Sequence, residues 1–144
     1  MKTTEHVLNA IRKHAEATYP EECCGFLLGK AGTVNEGVRI HRVPNRQQTN
    51  RERRYTITPE DYRAADQDAR DHDQDIVGFY HSHPDHPAKP SPTDLEEATF
   101  PGYTYIIVSV HNGEAGAITA WRLAADRSQF HQEQLTTTRS LSSQ

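Results

Sequence analysis

Large apolar side chains are scarce in this chain: Leu, Ile, Val and Phe together supply 25 of its 144 residues, below the rough one-in-five level associated with disorder. Disorder also needs a large uncompensated charge, and 16 basic against 20 acidic side chains leave only −4, so a folded domain with a lean core is expected. The same near-balance lacks the strongly basic character of a general nucleic-acid binder. No apolar run approaches the roughly 20 residues that a membrane span needs. The two cysteines, Cys23 and Cys24, are adjacent and cannot staple distant segments, which excludes a secreted disulfide scaffold and fits a reducing compartment. With no apolar stretch behind Lys2 and no small-residue cleavage site, no signal peptide is expected, and the cytoplasm is the expected location.

What is present reads as one α/β domain. Val7, Leu8, Ile11 and Ala15 recur at helical spacing after Thr3 or Thr4 as N-cap, and Pro20 ends that helix. Cys24 to Leu28 is an apolar run between glycines, and Val34, Val38 and Ile40 share one face of a second extended run. Arg46 to Arg54 has no periodicity and reads as a loop, followed by a brief strand over Tyr55 to Ile57. Thr58-Pro59-Glu60-Asp61 starts a second helix. Ile76 to Tyr80 reads as a buried strand running into His81-Ser82-His83, and a Pro-rich loop from Pro84 to Pro92 feeds a third helix near Thr93 to Thr99. Tyr103 to Val110 and Gly116 to Leu123 read as a hairpin turning at His111-Asn112-Gly113. The domain is expected over residues 1–127, with a peripheral, polar Gln/Thr/Ser-rich tail over 128–144.

Four of the nine histidines, His72, His81, His83 and His86, fall within 15 residues. On an extended backbone His81 and His83 point to one side, roughly 6 to 7 Å apart at Cα, so both imidazoles can converge on one ion. Two patterns start from this pair. His81, His83, Asp85 and His86 fill His-x-His-x-Asp-His, which resembles metallo-β-lactamases, although only His111 and His131 follow as further histidine ligands. His81, His83, Ser91 and Asp94 fill His-x-His-x7-Ser-x2-Asp, which resembles the JAMM (MPN-plus) metalloproteases. A second signature of that family stands upstream: Pro20, Glu22, Cys24, Gly25, Leu27 and Gly29 fit Pro-x-Glu-x-Cys-Gly-x-Leu-x-Gly. The element order extends the likeness over about residues 4 to 125, and the short prokaryotic members are the nearest kind.

The resemblance implies a mixed β-sheet flanked by helices, and one zinc ion per chain held by His81, His83 and Asp94 with a water in the fourth place. It implies Glu22 as the catalytic acid/base and Ser91 as the donor that stabilises the oxyanion. The implied substrate is a ubiquitin-like or sulfur-carrier protein, cut after its C-terminal Gly-Gly, either to release cysteine or to remove a modifier from lysine. The tail is expected to lie extended against sheet backbone beside the His81–His83 strand.

Each residue also has a plainer reading. Ser91-Pro92-Thr93-Asp94 is a sound helix start without chemistry, Glu22 is a solvated acid after a helix or gives way to Glu21, and Cys24 is a small buried side chain. A catalytically silent scaffold on the same fold is the rival from another class. Six arginines against one acid between Arg39 and Arg54, and seven acids against two arginines between Glu60 and Asp75, read as solvated faces or, for the arginine loop, as a clamp on an acidic partner.

Overall fold

Three capping signals set the helices in the computed structural model, which describes residues 1–139. Thr4 accepts the Val7 N–H and starts α1 (Glu5–Thr18). Reciprocal Thr58/Asp61 and Ser91/Asp94 capping boxes, each with proline behind the cap, start α2 (Pro59–Asp71) and α3 (Pro92–Glu97). Each satisfies backbone donors that a helix end otherwise leaves unpaired.

Between the helices run β1 (Lys2–Thr4), β2 (Cys24–Lys30), β3 (Glu36–Val43), β4 (Asp75–Pro84), β5 (Thr104–His111), β6 (Glu114–Leu123), β7 (Phe130–Glu133) and β8 (Thr136–Thr138). They form one mixed sheet in the order β7-β6-β5-β4-β2-β3-β1-β8. β4 lies at its centre, antiparallel to β2 and parallel to β5. The β5–β6 turn places Asn112 and Gly113 at positive φ, the conformation a two-residue hairpin demands.

One sheet face packs Leu27, Tyr80, Ile106 and Val108 against Val7, Ile11 and Ala15 of α1. The other packs Phe26, Leu28, Phe79 and Tyr105 against Ala65 and Ala69 of α2 and Ala98 after α3. The fold is thus the expected α/β domain with a mixed sheet flanked by helices, and its lean core is split between two faces.

Several elements differ from their sequence reading. Tyr55 to Ile57 is not a strand. The Asn45 side chain donates to the Arg54 carbonyl and accepts the Thr56 N–H, so one amide does locally what a ladder would do. Val34 precedes β3 and is exposed. The stretch expected as a peripheral tail from residue 128 supplies β7, paired with β6, and β8, paired with β1; its last five residues lie outside the described ones. β7 and β8 are the outermost strands, yet only Gln134 and Leu135 separate them. So short a link spans at most about 10 Å, so the sheet rolls until its outer strands approach each other. β4 is paired with β2 as far as His81 and with β5 as far as Pro84.

Candidate metal centre

His81 and His83 lie at the end of β4 and alternate with Ser82, so both rings project to the α2/α3 side of the sheet. Their Nε2 atoms are 3.1 Å apart. The third corner is Asp94, in the first turn of α3, with Oδ1 at 3.2 Å from His81 Nε2 and Oδ2 at 3.0 Å from His83 Nε2. The capping box fixes that carboxylate: Asp94 Oδ2 accepts the Ser91 N–H at 2.8 Å, and Ser91 Oγ accepts the Asp94 N–H at 3.0 Å. Capping and convergence on the histidines are therefore one arrangement, and the plain helix-start reading of Ser91 and Asp94 does not compete with the chemical one.

Hydrogen bonding shows what this group lacks. His83 Nδ1 lies 2.8 Å from the Pro87 carbonyl, which only accepts, so Nδ1 carries a proton and Nε2 of the neutral ring presents a lone pair. That lone pair faces the Asp94 carboxylate, acceptor against acceptor. The contact requires a positive charge, either a second proton on the ring or a metal ion. Two imidazoles and a carboxylate within reach of one point suit zinc, and such a three-ligand set leaves a fourth position open. Burial pushes the Asp94 carboxyl upward, but the His81 charge and the hydrogen bonds from His81, His83 and the Ser91 N–H outweigh it and hold the pKa well below the usual range. It is an anion, as a ligand must be.

Glu22 arrives from the segment just before β2. Cys24 pairs with His81 across β2 and β4, which sets the residues before β2 beside the histidines. The Glu22 backbone is held twice, its N–H donating to the Arg51 carbonyl at 2.8 Å and its carbonyl accepting from Asn45 Nδ2 at 3.2 Å. The side chain is 2% exposed, and Oε1 has no protein partner. Burial first, then the nearby Asp94 and Glu97 charges against an opposing effect of His83, raise its pKa to about 8. Glu21 is on the surface, paired loosely with Arg51 at 4.0 Å.

The alternative histidine pattern does not assemble. Asp85, at positive φ, turns away to accept from the Tyr19 hydroxyl at 2.7 Å and the Asn112 N–H at 2.9 Å. His86 does approach, its ring 4.0 Å from that of His83 and stacked on it. His72 caps the end of α2, away from the group. Both cysteines are free and buried, and burial pushes the Cys23 thiol up to about 12, which disfavours a nucleophilic thiolate.

Two contributors escape a reading of the sequence. Ser82, fully buried between the two histidines, accepts the Cys23 N–H at 2.8 Å. Tyr55 stacks on His81 at 4.7 Å and also lines a cavity of about 820 Å³ with Tyr62, Phe79, Phe100 and Tyr105. The only hint of Ser82 in the sequence is a hydroxyl inside an otherwise apolar central strand; Tyr55 leaves none.

Residues 4–124 match the family described as prokaryotic homologs of the JAB domain, Prok-JAB. The chain belongs to this family. It is 37% identical over 107 residues to a protein named desampylase from Haloferax volcanii, covering 73% of this chain and 74% of that one. It is 32% identical over 124 residues to a CysO-cysteine peptidase from Mycobacterium tuberculosis, covering 81% and 78%. A solution structure of a Salinibacter ruber protein, 56% identical, superposes with a TM-score of 0.77 and covers 96% of this chain and 92% of that one. The Prok-JAB chain is thus a short prokaryotic JAMM-type peptidase.

Proposed function

We propose that this chain is a zinc-dependent peptidase or isopeptidase, with one ion per chain, that hydrolyses the bond after the C-terminal Gly-Gly of a ubiquitin-like or sulfur-carrier protein in the cytoplasm. The observation that carries the reading is the buried confrontation of His83 Nε2 with the Asp94 carboxylate beside an unpartnered Glu22. A silent scaffold has no need of such a group. The curated relatives carry names that fit the same substrate class.

His81, His83 and Asp94 would hold the ion. Zinc there would act as a Lewis acid on the scissile carbonyl and lower the pKa of the attacking water toward neutrality. Glu22, buried and with a free oxygen, would take a proton from that water and return it to the leaving amine, serving as base and then acid. Ser91 Oγ already accepts the Asp94 N–H, which leaves its own hydroxyl hydrogen free to donate to the oxyanion. The tail would lie beside the end of β4, where pairing with β2 stops at His81. Histidine ligands that are 1–2% exposed admit a backbone without Cβ atoms most easily, which is the physical case for Gly-Gly.

The test is hydrolysis of a carrier ending Gly-Gly-Cys, against its Ala-Ala-Cys variant, before and after chelation and with zinc restored. Activity that is lost on chelation, recovered with zinc and strongly biased to Gly-Gly is the expected result. Indifference to chelation would overturn the metal, and equal rates would overturn the Gly-Gly specificity.

A further inference from the structure

One side-chain amide reaches toward both halves of the candidate centre. Asn45, two residues beyond the end of β3, donates through Nδ2 to the Glu22 carbonyl at 3.2 Å and to the Arg54 carbonyl at 2.9 Å. Its Oδ1 accepts the Gln47 N–H at 3.0 Å and the Thr56 N–H at 3.2 Å. An amide has two N–H donors and two lone pairs, and here every one of them is used. Beside it, the Arg46 N–H donates to the Thr56 carbonyl at 3.2 Å and closes the neck of the loop. From within that loop the Arg51 carbonyl accepts the Glu22 N–H at 2.8 Å.

Each end of this amide serves a group that the sheet does not hold by itself. β2 begins at Cys24, opposite His81, so Glu22 lies two residues outside the ladder, and its backbone N–H and C=O are bonded to the loop instead. On the other side, Arg54 and Thr56 flank Tyr55, whose ring lies on His81 with centroids 4.7 Å apart and 27° between the planes. His83 is turned by the Pro87 carbonyl at its Nδ1, whereas His81 Nδ1 is buried and has no hydrogen-bond partner among the described residues. A ligating imidazole is ordinarily oriented by a hydrogen bond on its second nitrogen. For His81 the flat face of Tyr55 takes that place.

We propose that Asn45 is a positioning residue for the hydrolysis: its amide holds the Glu22 backbone and, through the Tyr55 ring, the His81 imidazole in one fixed relation. This rests on the peptidase reading above and adds a residue to its machinery. Asn45 acts only through these two neighbours. Glu22 has to stay within reach of a water at the ion without becoming a ligand, while His81 has to keep its Nε2 aimed at the same point. The two side chains come from different segments, and a misplacement of about 1 Å between reacting groups costs about 10²-fold in rate. A loop tied at its neck by one saturated amide gives both segments a common reference.

The experiment follows Asn45→Asp, which keeps both acceptors and loses both donors, with Tyr55→Leu, which removes the ring, and Tyr55→Phe, which keeps it. On a carrier ending Gly-Gly-Cys, Asn45→Asp should lower kcat about 10- to 100-fold with KM within about threefold of the wild type. The Kd for zinc, read by chelator competition, should rise about 10- to 100-fold in Tyr55→Leu, less in Asn45→Asp, and stay within about threefold in Tyr55→Phe. In the metal-free protein the His81 ring-proton NMR signals, displaced by the Tyr55 ring, should return to the ordinary imidazole position in Tyr55→Leu and part of the way in Asn45→Asp. Gln47→Ala, which removes a bond from the Thr56 hydroxyl in the same loop, should change none of these. Should Asn45→Asp fail to fold, Asn45→Ser, which shortens the side chain without adding charge, is read in the same way. A loss explained by a smaller folded fraction, with kcat per folded chain and the His81 signals unchanged, would reduce Asn45 to a loop staple and overturn the proposal, as would an equal loss in Gln47→Ala. If the wild-type protein cuts no conjugate, the peptidase reading fails, and the His81 signals still decide whether Asn45 sets the histidine.

Discussion

Ser82 Oγ accepts the Cys23 N–H at 2.8 Å, and the Ser82 N–H donates to the Cys23 carbonyl at 3.2 Å. The residue between the two candidate ligands thereby clasps the residue next to the candidate acid/base. Ser82→Ala removes the side-chain half of the clasp and leaves a buried amide unpaired, a loss of roughly 1–3 kcal/mol. Since small misplacements of reacting groups are severe, turnover should fall at least about tenfold while zinc per chain is unchanged. Thermal unfolding, metal content and kcat measured on one preparation check this.

Asp94→Ala and His81→Ala should lose the ion or bind it far more weakly, because each removes one of three donors. Asp94→Ala should also destabilise the protein by about 1 kcal/mol through the broken capping box. Asp85→Ala and His86→Ala should keep the ion, since Asp85 bonds to Tyr19 and Asn112 instead. Metal analysis of the purified variants decides between the two histidine patterns.

Glu22→Gln should keep the fold and the ion and lose about 10²- to 10⁴-fold in turnover. Ser91→Ala should lose about 10²- to 10³-fold, together with roughly 1 kcal/mol of stability from the missing cap. Full activity in Glu22→Gln would remove it from the mechanism, and an equal loss in Glu21→Gln would transfer the role to its neighbour.

His14 gives a pH dependence outside the site. Its Nδ1 is 2.7 Å from the Tyr80 hydroxyl, and burial, helped by the Arg42 charge, lowers its pKa from 6.5 to about 4. The folded value lies below the unfolded one, so the unfolded chain binds the extra proton first as pH falls. Relative to His14→Asn, the wild-type protein should lose up to roughly 3 kcal/mol between pH 6.5 and 4 and nothing above that window. Denaturant unfolding of both proteins across this range gives the difference directly.

The helices were legible because their starts are written in local chemistry: Thr4, Thr58-Pro59 and Ser91-Pro92 lie where chain entropy and hydrogen bonding favour a cap, whatever the tertiary context. The His81/His83 pair was legible for a similar reason, since strand alternation alone puts both rings on one side. The nearness of Glu22 was not, because it depends on the register of β2 against β4 across some 60 residues; only the family signature carried that information. Gly25 in that signature has its reason in the same pairing, for a Cβ there would fall 2.4 Å from the Tyr80 ring, which is fully buried and tied to His14. Tyr55 misled because its strand propensity was real, while the backbone on either side of it, at Arg54 and Thr56, is bonded by the Asn45 side chain. β7 and β8 were hidden by their Gln- and Thr-rich composition, in which β-branched threonine favours strands without any apolar alternation to announce them.

The rolled sheet makes those last strands guardians of solubility. Consecutive in the chain and joined by two residues, β7 and β8 cover the backbone edges of β6 and β1 together. A chain shortened to the expected boundary at residue 127 would uncover both edges in one step. Each would then offer a row of unpaired N–H and C=O groups, both bordering the gap that β7 and β8 had filled, where a strand of another copy can add.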